Sequence, residues 1–167
     1  MVKLGFKMFF LVFLLNHLIS VSQEKVWIDS SIIKYVDEFI VEGKKRGFDA
    51  VPHIVKLDSI KFNQEMPLLT LGLYEFQKNE KDEIFNSNIL INEYTKIDWL
   101  CLRYTIFHEL SHACGYLKHS CYNCDDILTE HTPKNHTYAH YLDEVYWGKK
   151  LDIMFKSIKE NDENKVK

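Results

Sequence analysis

The chain has 167 residues, is 46% hydrophobic and 27% charged, and carries a formal net charge of −3 at pH 7. This length accommodates one domain with its own hydrophobic core and leaves no room for a second domain. The acidic balance argues against a nucleic-acid partner.

The first 22 residues have the layout of a secretory signal peptide. Lys3 and Lys7 precede an apolar run at residues 8–15, and the sequence SVS follows at residues 20–22. The apolar run is too short to span a bilayer comfortably, and no cysteine lies near it to accept a lipid. We therefore expect cleavage near Ser22, a secreted or periplasmic protein, and no stable membrane insertion after cleavage.

Residues 23–167 are predicted to form one domain, which opens with an amphipathic helix. Ser30 or Ser31 can cap this helix, and Gly47 follows its basic end. The apolar side chains recur at helical spacing, at Ile32, Ile33, Val36, Phe39 and Ile40. One face of the helix is thus expected to pack against the core.

Three β-rich runs follow the first helix, at residues 53–62, 68–76 and 87–94. Asn, Gln and Pro residues separate the first two runs, and the charged stretch 77–83 separates the last two. The three runs predict a small β-sheet.

A second long helix is predicted at residues 97–117, which contain no proline and no glycine before Gly115. At about 100° per residue, one side of this helix collects apolar side chains. These apolar residues are Trp99, Leu102, Ile106, Leu110, Ala113 and Leu117. The opposite side of the helix carries Cys101, Tyr104, His108 and His112. A histidine pair among apolar neighbours indicates a helix that is buried on both sides.

The rest of the chain is predicted to be an irregular stretch at residues 118–135 and a last helix at residues 137–158. The charged tail from residue 158 to 167 is expected to fray. Helices that flank a small mixed sheet place the chain in the α+β class.

Residues 108–112, HELSH, carry metal and acid–base chemistry. Residues four apart on a helix project to one side, so His108 and His112 can each place a nitrogen about 2 Å from a common zinc ion. Glu109 points to the flank where a water on the metal would lie, and it can act as general base. The motif therefore predicts a zinc-dependent hydrolase.

Residues 108–115, HELSHACG, resemble the opening of the metzincin signature HExxHxxGxxH. The order of helix, sheet, HExxH helix, loop and C-terminal helix is similar to that of a minimal matrixin-like metallopeptidase. This resemblance implies a zincin-like fold and a secreted zinc-dependent endopeptidase that acts on peptides or proteins. It assigns His108 and His112 as zinc ligands, Glu109 as the base, and Gly115 as the residue that ends the helix.

The third zinc ligand departs from the metzincin pattern. The signature has its third histidine at position 118, where this chain has Lys118, and His119 follows. A loop after Gly115 can absorb one extra residue more easily than a helix can, so His119 is the predicted third ligand. Zinc accepts N, S or O donors, which leaves three alternatives open, namely Cys121, Cys124 and Glu144.

Other features of the sequence have simpler interpretations. Leu128 stands where a metzincin has the methionine of its Met-turn, and leucine has a similar volume. A stripe at residues 136, 140 and 144 (His, His, Glu) could form a second metal face but is more typical of a solvated helix side. Cys101 and Cys114 are too far apart on one helix to form a disulfide, so any disulfide involves Cys121 or Cys124.

The alternative function is an exported, non-catalytic zinc-binding or interaction protein on the same scaffold. Structural zinc sites fill all four coordination positions with protein ligands, whereas catalytic sites keep one position open. The presence of Glu109 and an open position therefore distinguishes the two functions. The oligomeric state and the cleavage specificity stay open at this point.

Overall fold

The computed structural model describes residues 26–116, 118–119, 127 and 144–165. The predicted signal peptide at residues 1–22 lies outside this part. The strands are β1 (Trp27–Ile28), β2 (Ser59–Asn63), β3 (Gly72–Lys78) and β4 (Ile84–Asn92). The helices are α1 (Ile33–Lys45), α2 (Val51–Ile54), α3 (Trp99–Ala113) and α4 (Glu144–Lys165), with a short 3₁₀ helix at Glu93–Ile97.

The four strands form one mixed sheet in the order β1-β2-β4-β3. Strands β1, β2 and β4 run parallel, whereas β3 pairs antiparallel with β4 and lies at the edge. The register of this last pair runs from Gly72 opposite Ile91 to Lys78 opposite Ile84, with an irregularity between Glu75 and Gln77. These features confirm the α+β class and the small mixed sheet.

The first β-rich run was predicted too long at its N-terminal end. Residues 53–54 belong to α2 rather than to a strand, and β2 begins only at Ser59. Pro52 lies in the first turn of α2, where its fixed φ favours a helical start and its missing N–H costs nothing. This local preference outweighs the β propensity of the residues that follow.

Helix α1 begins differently from the prediction and ends as predicted. Its N-cap is Ile32, with no side-chain cap, so the assignment of Ser30 or Ser31 as a cap is wrong. Asp29 instead accepts hydrogen bonds from the N–H and hydroxyl of Ser31. At the other end Gly47 has a φ of +73°, the left-handed conformation expected of a helix-terminating glycine.

The hydrophobic core joins the three long helices through aromatic side chains. The Phe39 ring of α1 lies 5.3 Å from the Phe107 ring of α3 and 5.0 Å from the Phe155 ring of α4, measured between centroids. All three rings are fully buried, as are Ile60 and Ile89 in the neighbouring strands β2 and β4. Helix α3 therefore packs between the sheet and the other helices. Its residues from Leu102 to His112 are buried.

Helix α4 extends beyond the predicted boundary, through residues for which the sequence suggested a frayed tail. Ile158 is fully buried, and the Lys159 ammonium donates to the carbonyl of Arg46 at 3.0 Å. The Asn161 amide donates to the carbonyl of Gly115 at 2.6 Å. These tertiary contacts offset the weak helical preference of the charged segment. In the described part of the chain, no helix is long and apolar enough to cross a membrane.

The N-cap of α3 gives a first test of the fold. The Asp98 carboxylate accepts hydrogen bonds from the backbone N–H groups of Leu100 and Cys101. Asp98→Ala removes both, so we expect the free energy of unfolding to fall by about 1 kcal/mol, measured by urea denaturation of the metal-free protein. Asp37→Ala, at an exposed position of α1, is the control and should change it by less than about 0.5 kcal/mol. Equal effects of the two substitutions would contradict the capping role.

Candidate metal centre

Helix α3 presents the two histidines of the HELSH motif on one side. His108 and His112 are one turn apart and both largely buried, with ring centroids 4.6 Å apart and planes almost perpendicular. This arrangement follows from the i, i+4 spacing, since such residues lie above one another on a helix. The helix therefore supplies two imidazoles to one point.

The helix ends where the chain must turn toward the third histidine. Gly115 has a φ of +95°, its N–H donates to the carbonyl of His112 at 2.9 Å, and the Tyr116 N–H donates to that of Ser111 at 3.1 Å. This pair of hydrogen bonds is the Schellman motif, which a left-handed glycine permits. Gly115 thus terminates α3 as the sequence predicts.

The structure brings together the three histidines that the sequence selects. The Nε2 atom of His108 lies 3.0 Å from Nε2 of His112 and 3.2 Å from Nε2 of His119. One ligand atom from each of the three residues lies within 4.8 Å of the others. His119 is exposed, so the cluster faces solvent on that side. His119 thus lies with the two helical imidazoles, although it stands one residue later than the third histidine of the signature.

The outer nitrogens of the two helical imidazoles are held by backbone carbonyls. Nδ1 of His108 lies 2.6 Å from the carbonyl oxygen of Ile127, and Nδ1 of His112 lies 2.5 Å from that of Tyr116. A carbonyl only accepts, so each Nδ1 carries the proton and each Nε2 of a neutral ring does not. Two unprotonated nitrogens at 3.0 Å repel one another unless a cation lies between them. The donor set therefore fits a metal ion.

The protonation state of these rings suits metal binding. Burial, with the neighbouring His112, lowers the pKa of His108 to about 3. Burial also lowers the pKa of His112. Both imidazoles are consequently neutral at physiological pH, which is the form that binds a metal.

Glu109 lies beside the cluster rather than within it. Its side chain is buried, and its carboxyl accepts a hydrogen bond from the backbone N–H of Tyr74 in β3. Burial raises the pKa of Glu109 to about 8, and the hydrogen bond from Tyr74 partly offsets this. The group of converging ligand atoms contains the three histidines and not Glu109. Glu109 is thus a buried carboxyl on the same helix as His108 and His112, held by a strand of the sheet.

Gly72, at the start of β3, is a site residue that sequence reasoning missed. A Cβ atom there would lie 2.6 Å from Oε1 of Glu109 and 2.7 Å from Cγ2 of Thr105. Strand β3 can therefore approach α3 this closely only because position 72 has no side chain. A glycine that opens a β-rich run is a weak signal of such an approach, and nothing in the sequence connects it to Glu109.

The backbone acceptors of the imidazoles were also missed, because a carbonyl carries no sequence signal. Ile127 is fully buried, and its carbonyl contacts His108. It precedes Leu128, the predicted counterpart of the Met-turn methionine, which lies outside the described residues. The Ile127 carbonyl therefore orients one of the histidines that α3 contributes.

Several predicted alternatives lie outside the described part of the chain. These are Cys121 and Cys124, His136 and His140, and the side chain of Glu144. Cys101 is near the beginning of α3 and Cys114 is its C-cap, which agrees with the prediction that they do not pair.

The described residues thus supply three imidazoles that could hold a metal ion, and Glu109, the residue after His108, adds a buried carboxyl. Comparisons of this chain with protein-family models, with curated proteins and with solved structures found no match.

Proposed function

We propose that this chain is a secreted, zinc-dependent endopeptidase with a zincin-like fold. His108, His112 and His119 are the zinc ligands, and Glu109 is the general base. The observation that carries the proposal is the convergence of His108, His112 and His119, with the buried carboxyl of Glu109 on the same helix as the first two. The substrates are peptides or proteins, and nucleic acid is not a partner.

Zinc is the metal that this donor set favours. Ligand nitrogens about 2.0–2.1 Å from zinc in tetrahedral geometry are about 3.3 Å from one another. The distances from Nε2 of His108 to the other two Nε2 atoms, 3.0 and 3.2 Å, are close to this value. Three histidine ligands leave one tetrahedral position for water or substrate, which is typical of catalytic rather than structural zinc sites.

Glu109 supplies the acid–base chemistry of the proposed reaction. Zinc bound by the three histidines would acidify a water, polarise the scissile carbonyl and, as a nearby positive charge, favour the ionised form of Glu109. Glu109 accepts the proton of the attacking water and then donates it to the leaving amine. Its contact with the Tyr74 N–H fixes the carboxylate against strand β3.

Strand β3 gives the proposed substrate a place to bind. It is an edge strand of the described sheet, and an extended peptide can add to such an edge through backbone hydrogen bonds. Gly72 and Tyr74 of this strand lie against Glu109. A peptide aligned on β3 therefore passes the general base, and recognition through its backbone suits an endopeptidase.

The general base is tested by Glu109→Gln. An amide cannot accept the proton of water, so we expect hydrolysis of an unfolded protein substrate to fall by about 10²- to 10⁴-fold while zinc stays bound. Turnover is followed by release of labelled peptides, and zinc content by atomic absorption. Glu80→Gln, at an exposed position in the turn between β3 and β4, is the control and should keep full activity.

Two outcomes of this experiment argue against the proposal. Wild-type activity in the Glu109→Gln protein would remove Glu109 from the reaction. A wild-type protein that binds zinc but cleaves no substrate would favour the alternative, an exported non-catalytic zinc-binding protein.

The third ligand is tested by comparing His119→Ala with Lys118→Ala. Loss of one of three imidazoles should weaken zinc binding at least about 10-fold, since even residues that only support a ligand contribute that much. Lys118 is exposed and its protonated ammonium cannot ligate, so its removal should leave zinc affinity nearly unchanged. Titration with a competing chelator measures both. Zinc binding lost in Glu144→Ala or Cys121→Ser but retained in His119→Ala would reassign the ligand.

The close approach of β3 to the general base is tested by Gly72→Ala. The added methyl group meets Glu109 and Thr105, so the carboxylate must shift, and we expect kcat to fall roughly 10- to 100-fold with zinc content unchanged. Gly148→Ala in α4 is the matched control, because a Cβ there meets nothing within 4 Å. Full activity of Gly72→Ala would show that the position of Glu109 tolerates displacement.

A further inference from the structure

The C-terminal helix contacts the metal centre at the turn that ends α3. Asn161 lies near the end of α4, and its Nδ2 atom donates a hydrogen bond of 2.6 Å to the carbonyl of Gly115. The two residues are 46 positions apart in the chain. The contact therefore forms only when α4 is docked on the rest of the domain.

The Gly115 carbonyl occupies a special place in this turn. The N–H groups of Gly115 and Tyr116 are used in the hydrogen bonds that close the Schellman motif. The carbonyl of Gly115 lies beyond the last residue of α3, outside the hydrogen-bond ladder of that helix. Asn161 supplies a donor to this carbonyl from another helix.

The Gly115–Tyr116 peptide group adjoins the carbonyl that contacts one candidate metal ligand, and it precedes the other in the chain. Tyr116 immediately follows, and its carbonyl holds Nδ1 of His112 at 2.5 Å. The same residue begins the loop that reaches His119 three positions later. The Tyr116 carbonyl belongs to the next peptide group along the chain, so a displacement of the Gly115–Tyr116 peptide would be passed on to the contact with His112 and to the start of the loop.

We propose that Asn161 is a positioning residue for the metal centre. Its amide fixes the peptide plane after Gly115 and so holds His112 and His119 in the arrangement that binds a metal ion. This inference rests on the metal-binding part of the proposed function and not on peptide hydrolysis. It assigns a role in metal affinity to a segment whose sequence is that of a charged tail.

Lys159 provides a matched control on the same helix. Its ammonium also donates to a carbonyl at the end of a helix, that of Arg46, the C-cap of α1, at 3.0 Å. That contact docks α4 on α1 and not on the turn after α3. A role limited to docking α4 would make Asn161 and Lys159 substitutions equivalent in every measurement.

The experiment compares Asn161→Ala, Asn161→Asp and Lys159→Met with the full-length wild-type protein. Zinc affinity is measured by chelator competition, ligand geometry by the visible absorption of the Co²⁺-loaded protein, and folding by circular dichroism and the melting temperature of the metal-free form. Asn161→Asp keeps the size of the side chain but replaces its donor by a carboxylate. An added negative charge by itself favours a cation, so weaker binding in this variant reports the altered contact with the Gly115 carbonyl.

We expect both Asn161 variants to bind zinc about 10-fold more weakly and to show an altered Co²⁺ spectrum. Lys159→Met should keep wild-type zinc affinity and spectrum, whatever its melting temperature. Wild-type affinity and spectrum in both Asn161 variants, with only a lower melting temperature, would overturn the positioning role. A wild-type protein that binds zinc but does not cleave peptides overturns the endopeptidase alone, whereas one that binds neither zinc nor Co²⁺ overturns both inferences.

Discussion

Two hydrogen bonds from imidazoles to backbone carbonyls determine the chemistry of the centre. They place the protons of His108 and His112 on Nδ1, so that both Nε2 lone pairs point toward one another at 3.0 Å. Without a cation this arrangement is repulsive, and with one it is a set of preformed ligands. The carbonyls come from Ile127 and Tyr116, so the segments after α3 must be in place before the rings are oriented.

The surrounding fold keeps α3 buried while it carries polar groups. Arg103 of α3 forms an ion pair with Glu38 of α1, and its guanidinium lies 4.4 Å from the centroid of the Trp147 ring. Glu109 has the Tyr74 N–H as its hydrogen-bond donor, which a buried carboxyl requires. Arg103 and Glu109 therefore find their partners on different neighbouring elements, and the helix can be both part of the core and the carrier of the site.

A metal ion bound by these histidines would couple its binding to folding. The three histidines become neighbours only when α3 has formed, its last turn is closed and His119 lies against the helix. The free energy of binding a metal is then part of the free energy of folding. Helix α4 contacts the rest of the domain in two places. Phe155 packs in the core, and Asn161 donates a hydrogen bond to the turn after α3.

The sequence by itself determined the features that depend on local spacing. Helical periodicity predicted α1 and α3, the i, i+4 interval placed His108 and His112 together, and the left-handed preference of glycine predicted where both helices end. Two local predictions of secondary structure were wrong. Residues 53–54 were predicted as strand, but Pro52 favours a helical turn there, and the tail beyond residue 158 was predicted to fray, but tertiary contacts keep it helical.

Only the tertiary structure shows that His119 lies with the helical pair, because a loop residue carries no periodicity that would place it there. The carbonyl acceptors, the approach of Gly72 to Glu109 and the contact of Asn161 join residues far apart in sequence, so no pattern along the chain encodes them.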